Sequence, residues 1–474
     1  MAEFNIYQQT KKELQDFLTK KIHVAGTQNN ENARYLSRDS VNYEFSQWEM
    51  VNMIDLVYNS KFKSGEVDSE GQRKLFLNIS KFRADVAAKQ TDLDVKDFLF
   101  VPDKGKGEWP AFFANIEFEQ WAKDNYFGEL LNECVESFPR YGTVVLKKIK
   151  DKLEFVPLQT LRCQQDAESL DTSGFITIEH PNMTKGEMSD MPGWDVSGLD
   201  MEWGDTTTVY ERYGFVPLSA IKKHRGEVCE PDDHDRAVDT LTIMTLKFDN
   251  KKKTVDGNVI FMEEITKRPF QEVHWARQHG RWMGIGEIEN QLENQIGANM
   301  SFNLFRRQLL WSSKKVFQSA DDTIAKNLVR DVKDGDVLQI APNGNITQVD
   351  MADKSGADFN AFQEILNKNS DQKSFTYEAA TGASMPSGTP FRLGVQLANT
   401  VNSHFDFKRE KLGLFFKRVI IKFVLPTFKK DKSKEHDIAM FGDDEIPRPS
   451  HSGARPRKSA PPWRFSWRCP HREC

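Results

Sequence analysis

At Gly286 the spacing of apolar residues changes from a strand-like to a helical period, and the rest of the chain has to be built around that change. Ile285, Ile288, Leu292, Ile296, Met300 and Leu304 recur every three or four positions, with Gly297 the one weak helix former among them, so a helix of about 25 residues is predicted. A second helical period runs from about Ala357 to Glu378. Between the two, ADDTIAKNLVRDV reads as a short helix and DVLQIAPNGNITQVDM as a hairpin turning at Asn343–Gly344, where Asn-Gly supplies the positive φ of a type I′ turn. Gly382, Pro386, Gly388, Pro390 and Gly394 then fall in one stretch that cannot continue a helix and is read as a loop. A third helix resumes near Val395, carries Val401, Phe405, Leu412, Phe415, Val419 and Phe423 on its apolar face, and is expected to end at Pro426.

Before Gly286 the chain divides into two kinds of segment. Up to about residue 138 the periods are helical: Leu14, Phe17 and Leu18, then Trp48, Val51, Ile54, Leu56 and Val57, and most clearly residues 118–138 as one helix broken at Tyr141-Gly142. Residues 143–275 are expected to be mainly β. TVVLKKIKDKLEFVPL alternates about the polar turn Lys150-Asp151-Lys152, and GFITIEH, TTVYERYGFV, TLTIMTLKFD and NVIFMEEITK are four further strand-like runs with turns at Asp249-Asn250-Lys251 and Asp256-Gly257. The architecture is therefore α+β.

Composition removes several classes of function. No run of eighteen apolar residues occurs and the first residues show no signal-peptide pattern, so a location in the cytoplasm without a membrane partner is expected. Five cysteines without a CxxC pair, in a chain of this length, are expected to be free thiols. The net charge of -5 is unevenly spread: residues 448–474 hold seven Lys/Arg against one Glu, which leaves -11 for residues 1–447. So acidic a body is unsuited to clamping duplex DNA on a broad basic face. The segment after Pro447 is rich in Pro, Arg and Ser without a helical or strand period, is read as a disordered or non-native tail, and is given no fold.

The motifs that could carry chemistry are weak. Gly284-Ile285-Gly286 lacks the third glycine of a dinucleotide fingerprint, and no P-loop pattern occurs, so a flexible approach to the helix is the better reading. Cys229, Asp232, Asp233, His234 and Asp235 offer metal donors without metal spacing, and a solvated turn is favoured. His274 and His279 do not share a helical face and read as surface or interface histidines. Lys408, Lys411, Arg418 and Lys422 form a basic stripe on the third helix, either a solvated face or charges at a subunit interface or near a channel. No catalytic residue, cofactor site or metal site is assigned, and the chain is not expected to be an enzyme.

Three stretches carry a resemblance. They are Phe138-Pro-Arg-Tyr-Gly142-Thr-Val-Val-Leu146 as a helix-to-strand passage, His279-Gly-Arg-Trp-Met-Gly-Ile-Gly-Glu287 before a long helix, and Thr381-Gly-Ala-Ser-Met-Pro-Ser-Gly388 before another. Taken with the order of elements, residues 110–430 resemble the portal proteins of tailed bacteriophages, the head-to-tail connectors. The resemblance implies an N-terminal helical region (1–109), a wing that is helical and then β-rich (110–283), a first stem helix (284–311), a clip (312–352), a second stem helix (353–380), a tunnel loop (381–394), a long helix carrying that loop (395–430), a linker or crown remnant (431–447) and the atypical tail (448–474). The departure is the crown, for which too few ordinary residues follow Pro426.

That family builds a homo-oligomeric, dodecameric ring at one capsid vertex of the virion, assembled in the host cytoplasm. Through it double-stranded DNA is packaged and later ejected. The implied partners are other copies of the chain, DNA held non-specifically, terminase, the major capsid protein or scaffold, and head-tail adaptors. Gly382, Ser384, Pro386, Gly388 and Arg392 would form the loop facing DNA, with Arg392 touching phosphate. Asn343, Gly344 and Asn345 would lie on the clip that contacts terminase. The rival readings are a metal-dependent phage nuclease using acidic residues near Asp232 and Asp321, and a capsid or tail-adaptor subunit that is not a portal.

Overall fold

The computed structural model describes residues 4–25, 42–68, 71–102, 108–150, 152–202, 204–249, 254–312, 316–319, 346–349, 356–376, 391–428 and 463–467. The fold is α+β. The chain separates into two compact units, each discontinuous in sequence: one takes residues 1–55, 83–290 and 375–474, the other 56–82 and 291–374.

The first unit opens with α1 (Ile6–Thr19), whose Asn5 side chain caps the amides of Tyr7 and Gln8. The strands β1 (Ile22–Ala25) and β2 (Asn42–Phe45) pair antiparallel, and α2 (Gln47–Tyr58) and α3 (Ser80–Gln90) follow. After β3 (Phe98–Pro102) come α4 (Glu108–Asp124) and α5 (Phe127–Tyr141). The single helix expected over 118–138 is thus broken: Tyr126 adopts a left-handed φ of 51° between the two, which turns Phe118, Trp121 and Phe127 onto one another in one aromatic cluster. Gly142, at φ 75°, closes α5.

The strand-like runs all form strands. The hairpin of β4 (Thr143–Ile149) and β5 (Lys152–Phe155) pairs Ile149 with Lys152. Then come β6 (Leu161–Cys163), β7 (Phe175–Thr184), α6 (Lys185–Ser189), β8 (Thr206–Pro217), α7 (Leu218–Arg225), β9 (Ala237–Asp249), β10 (Thr254–Glu264) and β11 (Phe270–His274). One antiparallel sheet runs in the order β10-β9-β8-β7-β6, and a second in the order β11-β4-β5. The turn expected at Asp256-Gly257 is not there: both residues sit inside β10, where a Cβ on Gly257 would lie 2.1 Å from the Thr245 carbonyl. Successive residues of the large sheet face opposite cores. Met244 packs with Ile6, Val216 and Ile221, whereas Ile243 packs with Met188, Val209 and Ile260.

The chain continues through α8 (Glu287–Ser312), β12 (Val316–Ser319), β13 (Ile346–Val349), α9 (Gly356–Ser374), α10 (Phe391–Val419), a π-helical turn over Ile420–Val424, α11 (Leu425–Phe428) and β14 (Trp463–Trp467). In the first unit α10 buries Phe405, Leu412, Phe415, Phe416 and Val419 against Phe98, Phe127 and Phe138. Each such side chain contributes roughly 1.5–3 kcal/mol through burial. Pro426 does not end the helical run as expected. The π turn absorbs the proline that cannot donate to its own ladder, and Lys148 Nζ donates to the Phe423 carbonyl at 2.8 Å. The tail also differs from expectation. Trp463-Arg-Phe-Ser-Trp467 alternates at period two and pairs antiparallel with β3, Trp467 opposite Phe98. Cys134, Cys163 and Cys229 are free thiols, and Cys469 and Cys474 lie outside the described residues.

Candidate functional site

Two of the family-like stretches, some 140 residues apart in sequence, meet in the first unit. Where α5 passes into β4, the Gly142 carbonyl accepts from Trp275 N–H at 2.8 Å and Thr143 Oγ1 accepts from Gly284 N–H at 2.8 Å. The backbones cross so closely that a Cβ on Gly142 would sit 2.4 Å from Gly286 N, and one on Gly284 would sit 2.3 Å from the Gly142 carbonyl. The glycines before α8 therefore serve a chain crossing. The Gly284 amide is already committed to Thr143 and the Ile285 amide to the Ala276 carbonyl.

Beside the crossing lies Trp275, buried edge-on against Phe138 at 5.0 Å. Its indole N–H donates to Glu287 at 2.9 Å. Lys408 reaches the same tryptophan from α10, with Nζ 4.6 Å from the ring centroid and a 2.8 Å hydrogen bond to the Trp275 carbonyl. Only 8% of Lys408 is exposed, so the basic stripe is not one continuous solvated face. Its first member is a core cation, and only Arg418 and Lys422 are exposed. Burial pushes the Lys408 ammonium down to about 8, against the pull of Glu287. Burial pushes the Glu287 carboxyl up, while Trp275 and Lys408 hold it back. His404, stacked on Phe375 at 4.1 Å, is lowered to about 4 by burial and by Lys408.

Next to this core is a cavity of about 350 Å³ between β11, the 169–171 segment and α10. Lys411 and Arg418 line it from the helix, and Arg277 from the loop after β11. Burial and then the nearby Arg277 push the Lys411 ammonium down. The Glu272 carboxylate in the wall accepts from Trp282 Nε1 at 2.6 Å and from the Leu170 amide at 3.3 Å. His274 is not a surface residue as expected: it is buried, and its Nδ1 lies 3.1 Å from Thr143 Oγ1. This grouping of Arg277 with Lys411 and Arg418 was not visible in the sequence, because Arg277 arrives from more than 130 positions away.

The second unit holds a different surface. The apolar stripe of α8 is buried at Ile288 and turned outward further along: Ile296, Leu304 and Met300 are exposed, the last by 66%. Gln295 and Asn299 are buried and Asn303 is half-buried. Gln295 Oε1 accepts from the amides of Ile79 and Ser80 and its Nε2 donates to the Leu77 carbonyl. Asn299 Oδ1 accepts from Leu77 N–H at 2.8 Å. Asn303 pairs in the same way with both backbone groups of Leu75. Across the other side, α9 packs through Phe359 stacked on Phe305 at 4.2 Å, Gln363 on Ser301 and Asn294 on Ser370, leaving Phe362 and Ile365 exposed. The strand Ile346–Val349, expected to pair within a hairpin turning at Asn343–Gly344, pairs antiparallel with Val316–Ser319. Asn343, Gly344 and Asn345 lie outside the described residues, as do Gly382, Ser384, Pro386 and Gly388. Arg392 and Gly394 fall in α10, which begins at Phe391 and not near Val395, so they are helical residues and not part of a loop.

Among the described residues no group of three His, Cys, Asp or Glu side chains is arranged to hold a metal ion. Around Asp232 the acidic segment closes on itself, with Asp233 paired to Lys222 at 2.6 Å and capping the Glu230 amide, and Asp321 lies outside the described residues. No described helix is long and apolar enough to cross a membrane. No protein-family model matches the chain, and no curated protein matches it.

Proposed function

We propose that this chain is a ring-forming structural subunit of the tailed-phage portal kind, through which double-stranded DNA passes into and out of a capsid. The reading rests above all on α8. A 26-residue helix that turns Gln295, Asn299 and Asn303 inward and Ile296, Met300 and Leu304 outward is built to be covered from outside, because contiguous exposed apolar surface marks an interaction face. In a ring the cover is the neighbouring copy, repeated heterologously until it closes. The order of elements supports the same reading: a β-rich region, a long helix, a pair of short strands, a returning helix, and a further long helix after the Gly/Pro segment.

An acidic body suits a channel through which DNA slides, since each phosphate contact would add binding free energy that every step must undo. ATP chemistry would reside in a separate terminase, docking on the module that contains β12 and β13 and giving way there to head-tail adaptors. The major capsid protein or scaffold would hold the outer face within the virion. The Gly382–Gly388 segment would face the DNA. The test is direct. Purified protein viewed in negative stain should show rings with a central channel, and Met300→Glu should leave a folded monomer by light scattering and circular dichroism. A wild-type chain that stays monomeric at micromolar concentration would sink the proposal.

A further inference from the structure

The cavity beside β11 gathers three cations that, among the described residues, make no direct ion pair. Lys411 and Arg418 are seven residues apart on α10, two helical turns along one face, and Arg277 faces them from the loop after β11. Among the described residues none of these three cations has a carboxylate within 4.0 Å. Arg277 donates to the Glu168 carbonyl, Lys411 to the Trp275 carbonyl at 3.5 Å, and Arg418 has no hydrogen bond or ion pair. Two carboxylates, Glu272 and Asp171, line the cavity as well, so three cations face two anions there; Glu272 accepts from Trp282 and the Leu170 amide and Asp171 is exposed. Lys411 is half-buried while Arg277 and Arg418 are exposed at the mouth, so an anion bound there would meet donors from two separate elements. The Lys411 ammonium is lowered first by burial and then by Arg277.

From this geometry we propose that the cavity is a binding site for a small polyanion bearing two linked phosphoryl groups, such as pyrophosphate or the diphosphate end of a nucleotide. Two guanidinium forks and an ammonium converging from separate elements match several oxygens of a phosphoryl group better than the two oxygens of a carboxylate. The volume of about 350 Å³ is at the low end of small-molecule sites, roughly 300–1,000 Å³, so it suits a compact anion and not a large cofactor. The buried Trp275, Trp282 and His274 behind the cavity hold its wall rigid, which lowers the ordering cost of binding. The site lies wholly in the first unit, and the proposal goes beyond ring formation and stands or falls independently of it.

Isothermal titration of the full chain with sodium pyrophosphate should give saturable binding at one site per chain. Arg418→Glu, which removes an exposed side chain without a hydrogen bond or ion pair among the described residues, should weaken it by about tenfold to a hundredfold while leaving the melting temperature unchanged, in keeping with the loss of one charge-assisted contact. Lys411→Met should act in the same direction. Raising the salt concentration should weaken binding further. Parallel titrations with inorganic phosphate, ADP and a duplex oligonucleotide separate the sources of the phosphoryl group. ADP competing with pyrophosphate while the duplex does not is the expected result. Absence of saturable heat at millimolar pyrophosphate would overturn the proposal, as would equal affinity in Arg418→Glu and wild type. Displacement of pyrophosphate by the duplex would also overturn it, by assigning the charge to nucleic acid.

Discussion

Glu211 shows how much a single buried carboxylate can depend on its neighbours. Burial alone would raise its pKa, yet His180, Lys147 and Tyr213 together hold it at about 2, with Lys147 Nζ at 2.6 Å. A carboxyl whose folded value is depressed contributes stability that is present above its unfolded value of 4.5 and lost as pH falls toward about 2. Glu211→Gln should therefore destabilise by about 3–5 kcal/mol at pH 7, because it leaves the buried Lys147 only the longer contact to Glu154 at 3.6 Å. The gap to wild type in urea midpoints should close between pH 4.5 and 2. Lys408 works in the opposite range. Its folded value near 8 lies below its unfolded 10.5, so the stability linked to it is full only above 10.5 and is lost as pH falls through 8. Wild type should gain on Lys408→Met over that window in thermal melts. At Gly142 the obstacle is steric: Gly142→Ala meets both the left-handed φ and the Gly286 backbone, and should cost more than about 2 kcal/mol or prevent folding. The sequence marked Lys408 as basic and Gly142 as a break. That one is buried and the other a crossing point follows from Trp275 and Gly286, whose approach no local pattern announces.

At the scale of elements, alternation was the most legible signal. The runs at GFITIEH, TTVYERYGFV, TLTIMTLKFD and NVIFMEEITK are all strands, since period two needs only a sheet with two different faces. Helical amphipathicity says that two faces differ but not which one is buried, and between Gln295 and Leu304 α8 resolves that choice against the apolar stripe. Its inward face explains why. Gln295, Asn299 and Asn303 climb the helix by four residues, a rise of about 6.0 Å, while Ile79, Leu77 and Leu75 descend an extended segment by two, about 6.6 Å. The two spacings act as a vernier. They stay in phase for three rungs, and at the next step the contact to the Arg73 carbonyl is made by the long side chain of Arg306. Gln295→Leu would orphan the amides of Ile79 and Ser80 and the Leu77 carbonyl, so a loss of about 2–4 kcal/mol is expected, with faster hydrogen exchange at Ile79. The break at Tyr126 and the strand Trp463–Trp467 went unseen for other reasons. The first has no Gly or Pro at the break itself, and the second is a five-residue alternation inside a Pro- and Arg-rich segment.

For the whole molecule, the charge and the α8 surface lead to separable outcomes. On the proposed ring reading, an acidic body predicts that duplex DNA binds the assembly only weakly, with Kd above about 1 µM at physiological salt and a shallow salt slope. A steep slope measured by anisotropy would mean a clamp and not a conduit. Chain connectivity adds a constraint of another kind. The amide ladder joins residues 215 to 228 positions apart, and residues 83–290 between them belong to the first unit, which in turn needs α10 to complete its aromatic core. During synthesis the amides of Leu75, Leu77 and Ile79 must wait for their side-chain partners until α8 leaves the ribosome. The second unit can then close before α10 exists, so the smaller body is the first that can be finished. A nascent chain stalled after residue 376 should already protect the amides of Leu75, Leu77 and Ile79 from exchange, while the β3 amides that pair with Trp463–Trp467 exchange freely until that strand has been made.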